Sequence, residues 1–210
     1  IACNEVRGRT PLMAFMPFTQ DGLPDTGTDP VTAAAVLEGL GVDVIGANCS
    51  TGPEHMLPVV ARLAASPRLP IAVQPNAGLP IQKAGQTVFP MGAAEMAEYG
   101  PRFYEAGATI IGGCCGTTPE YINMIARGLK GRTPAARTFT PGLRITSRMK
   151  TVLIGPGHPF CIIGEKINPT GRKKFAGAIA EGRMDLVGAE ARRQFEAGAT
   201  ALDVNVGVPL

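Results

Sequence analysis

The chain has 210 residues, 20 Lys and Arg against 17 Asp and Glu, 45% apolar and 18% charged content, enough to bury a core and too little charge for a disordered chain. A net charge of +3 is too mild to argue for nucleic acid. No uncharged apolar run approaches the ~20 residues of a bilayer span, and the opening IACNEVR lacks the basic-then-apolar order of a secretion signal, so membrane and secretory readings fall away.

Short apolar runs alternate with helix-length amphipathic stretches, the pattern of strand-helix units around a parallel sheet. Residues 12–18 read as a first strand. Asp29 and Pro30 read as N-cap and first residue of a helix that runs to Leu40 and stops at Gly41. Residues 42–47 form a second strand, 53–65 a helix, and 71–73 a third strand ending in Gln74, Pro75 and Asn76. A helix over 91–105, broken by Gly100 and Pro101, leads to a fourth strand at 109–111, and Thr118 opens a helix to Leu129. Residues 41–50 (GVDVIGANCS) align with 107–116 (GATIIGGCCG) at an offset of 66, which brings Cys49 onto Cys115; YEAGAT at 104–109 returns as FEAGAT at 195–200.

Between Lys130 and Pro159 the pattern dissolves into Gly, Pro, Thr and basic residues around one weak apolar run at 151–154, which reads as an interdomain linker. No Asp or Glu occurs from 121 to 164, but Phe139 alone falls among the basic residues and no regular aromatic interleaving occurs, so a solvated connection is expected rather than a phosphate-binding patch. Beyond it a strand is expected at 161–164, a turn at 169–174, a helix at 182–196 and a strand at 201–206 that stops at Pro209 and Leu210. A parallel strand without a successor, an initial Ile and an awkward length for whole domains together predict a piece of a longer protein.

Five cysteines are an odd number without a secretion signal, and Cys114 and Cys115 are adjacent; a reducing compartment with metal or catalytic use fits better than a disulfide framework. Cys49 ends one strand and Cys114 and Cys115 end another, and in a barrel of strand-helix units the active face is at those ends. Three thiolates meeting there would hold a zinc ion and leave one position open, the layout of a catalytic site. Gly112, Gly113 and Gly116 would let the backbone bend so that both adjacent cysteines face the ion. The competing reading is small buried apolar cysteines. His55, at a helix start, reads as a surface or capping residue, and Cys3 and Cys161 as structural. An electron-rich three-thiolate zinc would hold a substrate sulfur as a usable nucleophile, which predicts alkylation at sulfur.

Residues 46–54 (GANCSTGPE), 74–78 (QPNAG) and 112–120 (GGCCGTTPE) resemble the last strand-end motifs of the homocysteine S-methyltransferase barrel. Residues 160–173 (FCIIGEKINPTGRK) and 202–207 (LDVNVG) resemble the opening of the pterin-binding barrel of the cobalamin-dependent methionine synthases. The resemblance implies an α/β chain: the C-terminal half of a (β/α)8 TIM-type barrel over 1–130, a linker over 131–158, and the first units of a second TIM-type barrel over 159–210. It implies Cys49, Cys114 and Cys115 as zinc ligands, homocysteine sulfur in the fourth place, and Asn76 as a candidate substrate-free fourth ligand. Glu165, Asn168, Asp203 and Asn205 fall at the floor of the family's methyltetrahydrofolate site, although turn and strand-end hydrogen bonding is an equal reading of each. Gly164 and Gly207 read as close-approach glycines.

By that resemblance the parent enzyme is a cytoplasmic methyltransferase in which zinc-bound homocysteine thiolate takes the methyl group of methylcobalamin, itself remethylated from methyltetrahydrofolate, giving methionine. The first half of the zinc barrel, most of the pterin barrel and the cobalamin-binding module have no counterpart in these residues, so this chain alone is not expected to turn over. The alternatives are a corrinoid-linked methyltransferase with another acceptor and a non-catalytic zinc or redox-sensing module.

Overall fold

The computed structural model describes residues 5, 8, 10–22, 27–65, 68–138 and 142–208; Cys3, Pro209 and Leu210 lie outside the described residues. Two compact units form, one from residues 1–140 with 146–151 and one from 141–145 with 152–210. Among the described residues, no helix is long and apolar enough to cross a membrane.

In the first unit the chain order is β1 (Met13–Met16), α1 (Pro30–Gly39), β2 (Val44–Asn48), α2 (Pro53–Ala64), β3 (Ile71–Gln74), β4 (Ile81–Lys83), β5 (Gln86–Val88), α3 (Ala93–Ala97), α4 (Tyr99–Glu105), β6 (Ile110–Ile111) and α5 (Pro119–Leu129). Strands β1, β2, β3 and β6 lie side by side in that order and are all parallel, with Ile45 beside Ile71 and Ala72 beside Ile110. Because β2 and β3 are central they are covered on both faces, which is why they read as unbroken apolar runs rather than alternating ones. Ile45, Ala47, Ile71 and Val73 are fully buried in a core shared with Met56, Val60 and Leu63 of α2. Parallel strands all end on the same side of the sheet, so the loops after β2, β3 and β6 are neighbours.

Local chemistry explains most boundaries. Asp29 caps α1 as its sequence predicts: its Oδ1 accepts the Val31 N–H at 2.9 Å and the Thr32 N–H at 3.4 Å, and Pro30 fills the first helical position. The helix expected over 91–105 does break, but at Glu98. Pro101 falls in the first turn of α4, where its missing N–H would have had no intrahelical partner. The repeated EAGAT segment forms the same structure twice. Gly107 and Gly198 take φ of 99° and 98°. Ala108 and Ala199 bond back to Phe103 and Gln194 at 2.9 Å each, and Thr109 and Thr200 enter strands by bonding Ile71 and Ile162. Glycine is needed here because the left-handed stop would cost another residue about 1–2 kcal/mol.

The paired strands β4 and β5 are absent from the sequence reading. Ile81 faces Val88 and Lys83 faces Gln86 across a turn whose central residues, Ala84 and Gly85, both have positive φ. Such turns are signalled by Asn-Gly or Asp-Gly, and Ala84 conceals the signal.

Across the stretch expected to be a plain linker, β7 (Leu143–Thr146) and β8 (Thr151–Ile154) pair with each other. Their connection belongs to the first unit, where the Thr28 hydroxyl donates to the Arg148 carbonyl at 3.0 Å. The second unit contains β9 (Ile163–Ile167), α6 (Lys173–Ala180), α7 (Asp185–Glu196) and β10 (Ala201–Val204), with β9 and β10 parallel. Strand β9 lies later than the expected 161–164, anchored by Ile167 at 1% exposure. The turn expected at 169–174 forms over 169–172, where the Arg172 N–H donates to the Pro169 carbonyl at 3.0 Å, and α6 takes over from Lys173, because Phe175, Ala178 and Ile179 bury one helical face, Phe175 and Ile179 in the same small core as Ile167. The fold class observed is α/β with parallel sheets.

Candidate metal centre

Three loops bring the cysteines together. Cys49 follows β2, and both it and Ser50 adopt left-handed backbone, φ 60° and 61°, a conformation that costs a non-glycine residue about 1–2 kcal/mol. Strain of that kind persists only where surroundings over-determine it. Here the Cys49 N–H donates to the Gln74 carbonyl at 3.0 Å, and the Cys49 carbonyl accepts the Thr51 N–H at 2.7 Å. On the other side the Cys114 N–H donates to the Pro75 carbonyl at 2.9 Å, and Asn76 Oδ1 accepts the Cys115 N–H at 3.2 Å. Only Gly116 of the three motif glycines is left-handed, at φ 80°. Gly112 and Gly113 serve close approach instead, since a Cβ would lie 3.3 Å from Gln74 Cγ and 2.6 Å from Thr117 Oγ1 respectively.

The result is a cluster. Cys49 Sγ lies 3.7 Å from Cys115 Sγ, Cys114 Sγ lies 3.9 Å from Cys115 Sγ, and all three sulfurs fall within 4.8 Å of one another. Tetrahedral ligation at about 2.3 Å from zinc places sulfurs about 3.8 Å apart, so the donor set and its spacing fit such an ion. Among the described residues it is the only such group of metal-ligating side chains. His55 is not in it; its Nε2 lies 3.2 Å from Glu54 Oε1. Nor is Cys161, a free, half-buried thiol of the second unit.

The environment treats Cys49 and Cys114 differently. Burial pushes the Cys49 thiol up, but the Ser50 N–H and the Cys114, Cys115 and Asn76 side chains outweigh it and leave Cys49 below the ordinary thiol range. Burial, with Cys49 and Cys115 alongside, pushes Cys114 up to about 11. One negative charge is accommodated and a second is resisted, which a divalent ion between the sulfurs would reverse.

The homocysteine S-methyltransferase family matches residues 1–129, the stretch that holds all three cysteines. The chain belongs to that family. It is similar to the methionine synthases of Mycobacterium leprae, 34% identical over 98% of this chain, and Mycobacterium tuberculosis, 33% identical over 93%. The chain spans 18% and 16% of the length of those relatives. The homocysteine methyltransferase MmuM of Escherichia coli is 27% identical over 60% of this chain and 38% of its own, with a TM-score of 0.46.

The family match stops short of the second unit, where the four remaining sequence-predicted residues lie. Glu165 and Asp203 are exposed on the adjacent strands β9 and β10, and Asn168 and Asn205 follow the ends of those strands. Asn168 Oδ1 accepts the Thr170 N–H at 3.0 Å and Asn205 Oδ1 accepts the Gly207 N–H at 2.9 Å, so both side chains cap their own turns. The Asn205 N–H donates to the Ile167 carbonyl at 2.9 Å, which ties the two strand ends together. Gly164 is a close-approach glycine, as a Cβ there would lie 2.6 Å from Gln194 Oε1.

Sequence reasoning missed several supporting residues of the metal centre. Thr51 is fully buried and its carbonyl accepts the Asn76 N–H at 3.1 Å. Phe89 packs where a Cβ of Gly116 would be. Thr51 stands inside the 46–54 motif without a chemical signal of its own, and Phe89 lies outside every motif, reaching the cysteine loop only because the β4–β5 excursion returns there.

Proposed function

We propose that this chain is the zinc-holding part of a methionine synthase, with Cys49, Cys114 and Cys115 as ligands and the homocysteine sulfur as fourth. The observation that carries this reading is the convergence of three thiols from two strand ends at spacings matched to one tetrahedral ion. Family membership over the same residues and the likeness to methionine synthases support the substrate. A bound zinc ion supplies Lewis acidity that keeps a substrate thiol deprotonated near neutral pH. The chain's own part would be to hold three thiolates within reach of one ion, with Cys114 and Cys115 kept beside Cys49 by the turn at Gly116.

In this reading residues 1–130 are the C-terminal half of a homocysteine-binding barrel, 131–158 connect, and 159–210 begin a pterin-binding barrel. The methyl group derives from methyltetrahydrofolate by way of methylcobalamin, held by a separate module. Glu165, Asn168, Asp203 and Asn205 would face the pterin, the two asparagines with the amide nitrogens that their turn bonds leave free. Reduced thiols in the cluster suit a cytoplasmic setting.

Zinc titration of the 210-residue chain and of Cys49→Ser tests the reading. One equivalent is expected to bind tightly to the parent chain and to be lost by the variant, and the absorption of the cobalt(II)-loaded chain is expected to shift when homocysteine is added. Unaltered zinc binding by Cys49→Ser would instead point to a Cys114–Cys115 pair acting alone.

A further inference from the structure

Part of the expected linker is tied to the entrance of α1. Residues 146–151, the turn between β7 and β8 with its flanking threonines, belong to the first unit, although the family match stops at 129. The turn closes on itself: the Ser147 N–H donates to the Lys150 carbonyl at 2.8 Å, and Ser147 Oγ accepts the Lys150 N–H at 3.1 Å. Two threonines of the first unit meet it. The Thr28 hydroxyl donates to the Arg148 carbonyl at 3.0 Å, and the Thr151 and Thr32 hydroxyls lie 3.0 Å apart. Thr32 is fully buried, and its hydroxyl donates to Asp29 Oδ2 at 2.6 Å. An ionised carboxylate only accepts, so the Thr32 proton is committed to Asp29 and Thr151 must be the donor to Thr32. Met149 lies over Gly27, where a Cβ would be 2.9 Å from Met149 Cε. A cavity of about 500 Å³, lined among others by Met16, Ala33, Leu37, Ser147 and Arg148, remains between the turn and α1, so polar bonds more than close apolar packing hold the turn in place.

We propose that residues 146–151 are a strap that clamps the entrance of α1, held by the relay from Thr151 through Thr32 to Asp29 and by the bond between Thr28 and Arg148. Helix α1 follows β1, so its entrance lies on the side of the sheet where the strands end, the side of Cys49, Cys114 and Cys115. Strand β1 adjoins β2, which Cys49 follows, so the strap fastens the rim of the first unit next to the Cys49 loop. The carboxylate at the foot of the relay polarises both hydroxyls and strengthens each bond. A segment held by so few contacts opens locally while the unit around it stays folded. The clamp needs no ion among the thiols and stands apart from the methyl-transfer reading.

Trypsin digestion of the native 210-residue chain tests this, because Arg148 and Lys150 are exposed cut sites inside the strap and their cleavage follows its open population. Rates are read against cleavage after Lys130 and Arg183, exposed sites outside the strap. Thr151→Val and Thr28→Val each remove one of the two holds and are expected to speed strap cleavage about fivefold, and about 25-fold together. Thr151→Ser keeps the donor and is expected to match the parent. Thr32→Val removes the acceptor of Thr151, so in a chain that already carries Thr151→Val it is expected to add no further acceleration. Unchanged strap cleavage in either Thr151→Val or Thr28→Val would overturn the proposal. So would equal acceleration after Lys130 and Arg183, which marks general loosening rather than a released strap. Effects of Thr32→Val and Thr151→Val that multiply in the double variant would overturn the relay.

Discussion

Gly116→Ala is the substitution whose effect on the cysteine cluster follows most directly from geometry. The residue sits at φ 80°, which charges an alanine about 1–2 kcal/mol for backbone conformation alone. In addition, the new Cβ would lie 2.4 Å from Phe89 Cβ and 2.5 Å from Phe89 Cγ, about 1 Å inside ordinary contact. Relief of overpacking on that scale costs about 1–3 kcal/mol. Phe89 Cβ is fixed to its backbone and cannot swing aside, so much of the displacement falls on the turn that carries Cys115. Each 1.4 kcal/mol delivered to the bound state weakens the metal about tenfold, and a loss of about 10- to 100-fold in zinc affinity is expected. Gly131→Ala supplies the control. Its φ of 77° imposes the same backbone cost with nothing within 4 Å of the added methyl, so folding stability drops while metal affinity holds. Phe89→Ala combined with Gly116→Ala is expected to recover the steric share only. Chelator competition on the four chains, alongside thermal melts, measures each quantity. A Gly116→Ala chain that matches the parent in zinc affinity would refute the claim that this turn sets the sulfur positions.

Three further outcomes follow from other parts of the structure. Burial raises the Asp29 carboxyl, but the Thr32 hydroxyl and N–H, the Val31 N–H and Arg62 outweigh it and hold the acid below its ordinary 3.8. Because the folded value is the lower one, this stabilisation is fully present above the unfolded value and is lost as pH falls through the folded one. Asp29→Ala should cost about 1 kcal/mol at neutral pH, with the gap to the parent closing below pH 3.8 in urea melts; a gap that persists undiminished in acid would contradict the capping account. Burial likewise opposes ionisation of Glu190, yet Arg172 and Arg193 hold it low, and its carboxylate accepts from Arg172 Nη2 at 3.1 Å. Glu190→Ala should destabilise the second unit by about 3 kcal/mol, the lower end for breaking a buried pair, because Arg172 stays 39% exposed; chemical denaturation with a unit-specific probe reads it, and a neutral result would show the pair to be idle. Gly164→Ala pushes Gln194 Oε1 away from the Lys166 N–H it accepts at 2.9 Å, and a loss of about 1–3 kcal/mol is expected, with faster exchange of that amide as its signature.

Elements with one dominant local cause were legible along the chain. Asp29 before Pro30 announces a helix start, and EAGAT announces a helix stop and strand entry twice over, because capping and left-handed glycine act within a few residues. Unbroken apolar runs at 44–47 and 71–73 announce central parallel strands, since both their faces must be covered. The alignment of Cys49 with Cys115 by internal repetition already suggested that equivalent strand ends carry equivalent thiols.

What the chain order concealed was every feature made by distant partners. The β4–β5 pair depends on a left-handed Ala84, a conformation that nothing in alanine's chemistry advertises. Helix α6 exists because Phe175 and Ile179 find Ile167 across the second unit, not because residues 169–174 favour a helix. The left-handed Cys49 and Ser50, the buried Thr51 and the hold of Asn76 on Cys115 are likewise invisible locally, for they come from hydrogen bonds between loops 25 to 40 residues apart. Residue types and spacing therefore determined which atoms could serve as ligands. Only the parallel sheet, by ending its strands on one side, decided that three sulfurs separated by up to 66 positions lie within 4.8 Å of one another.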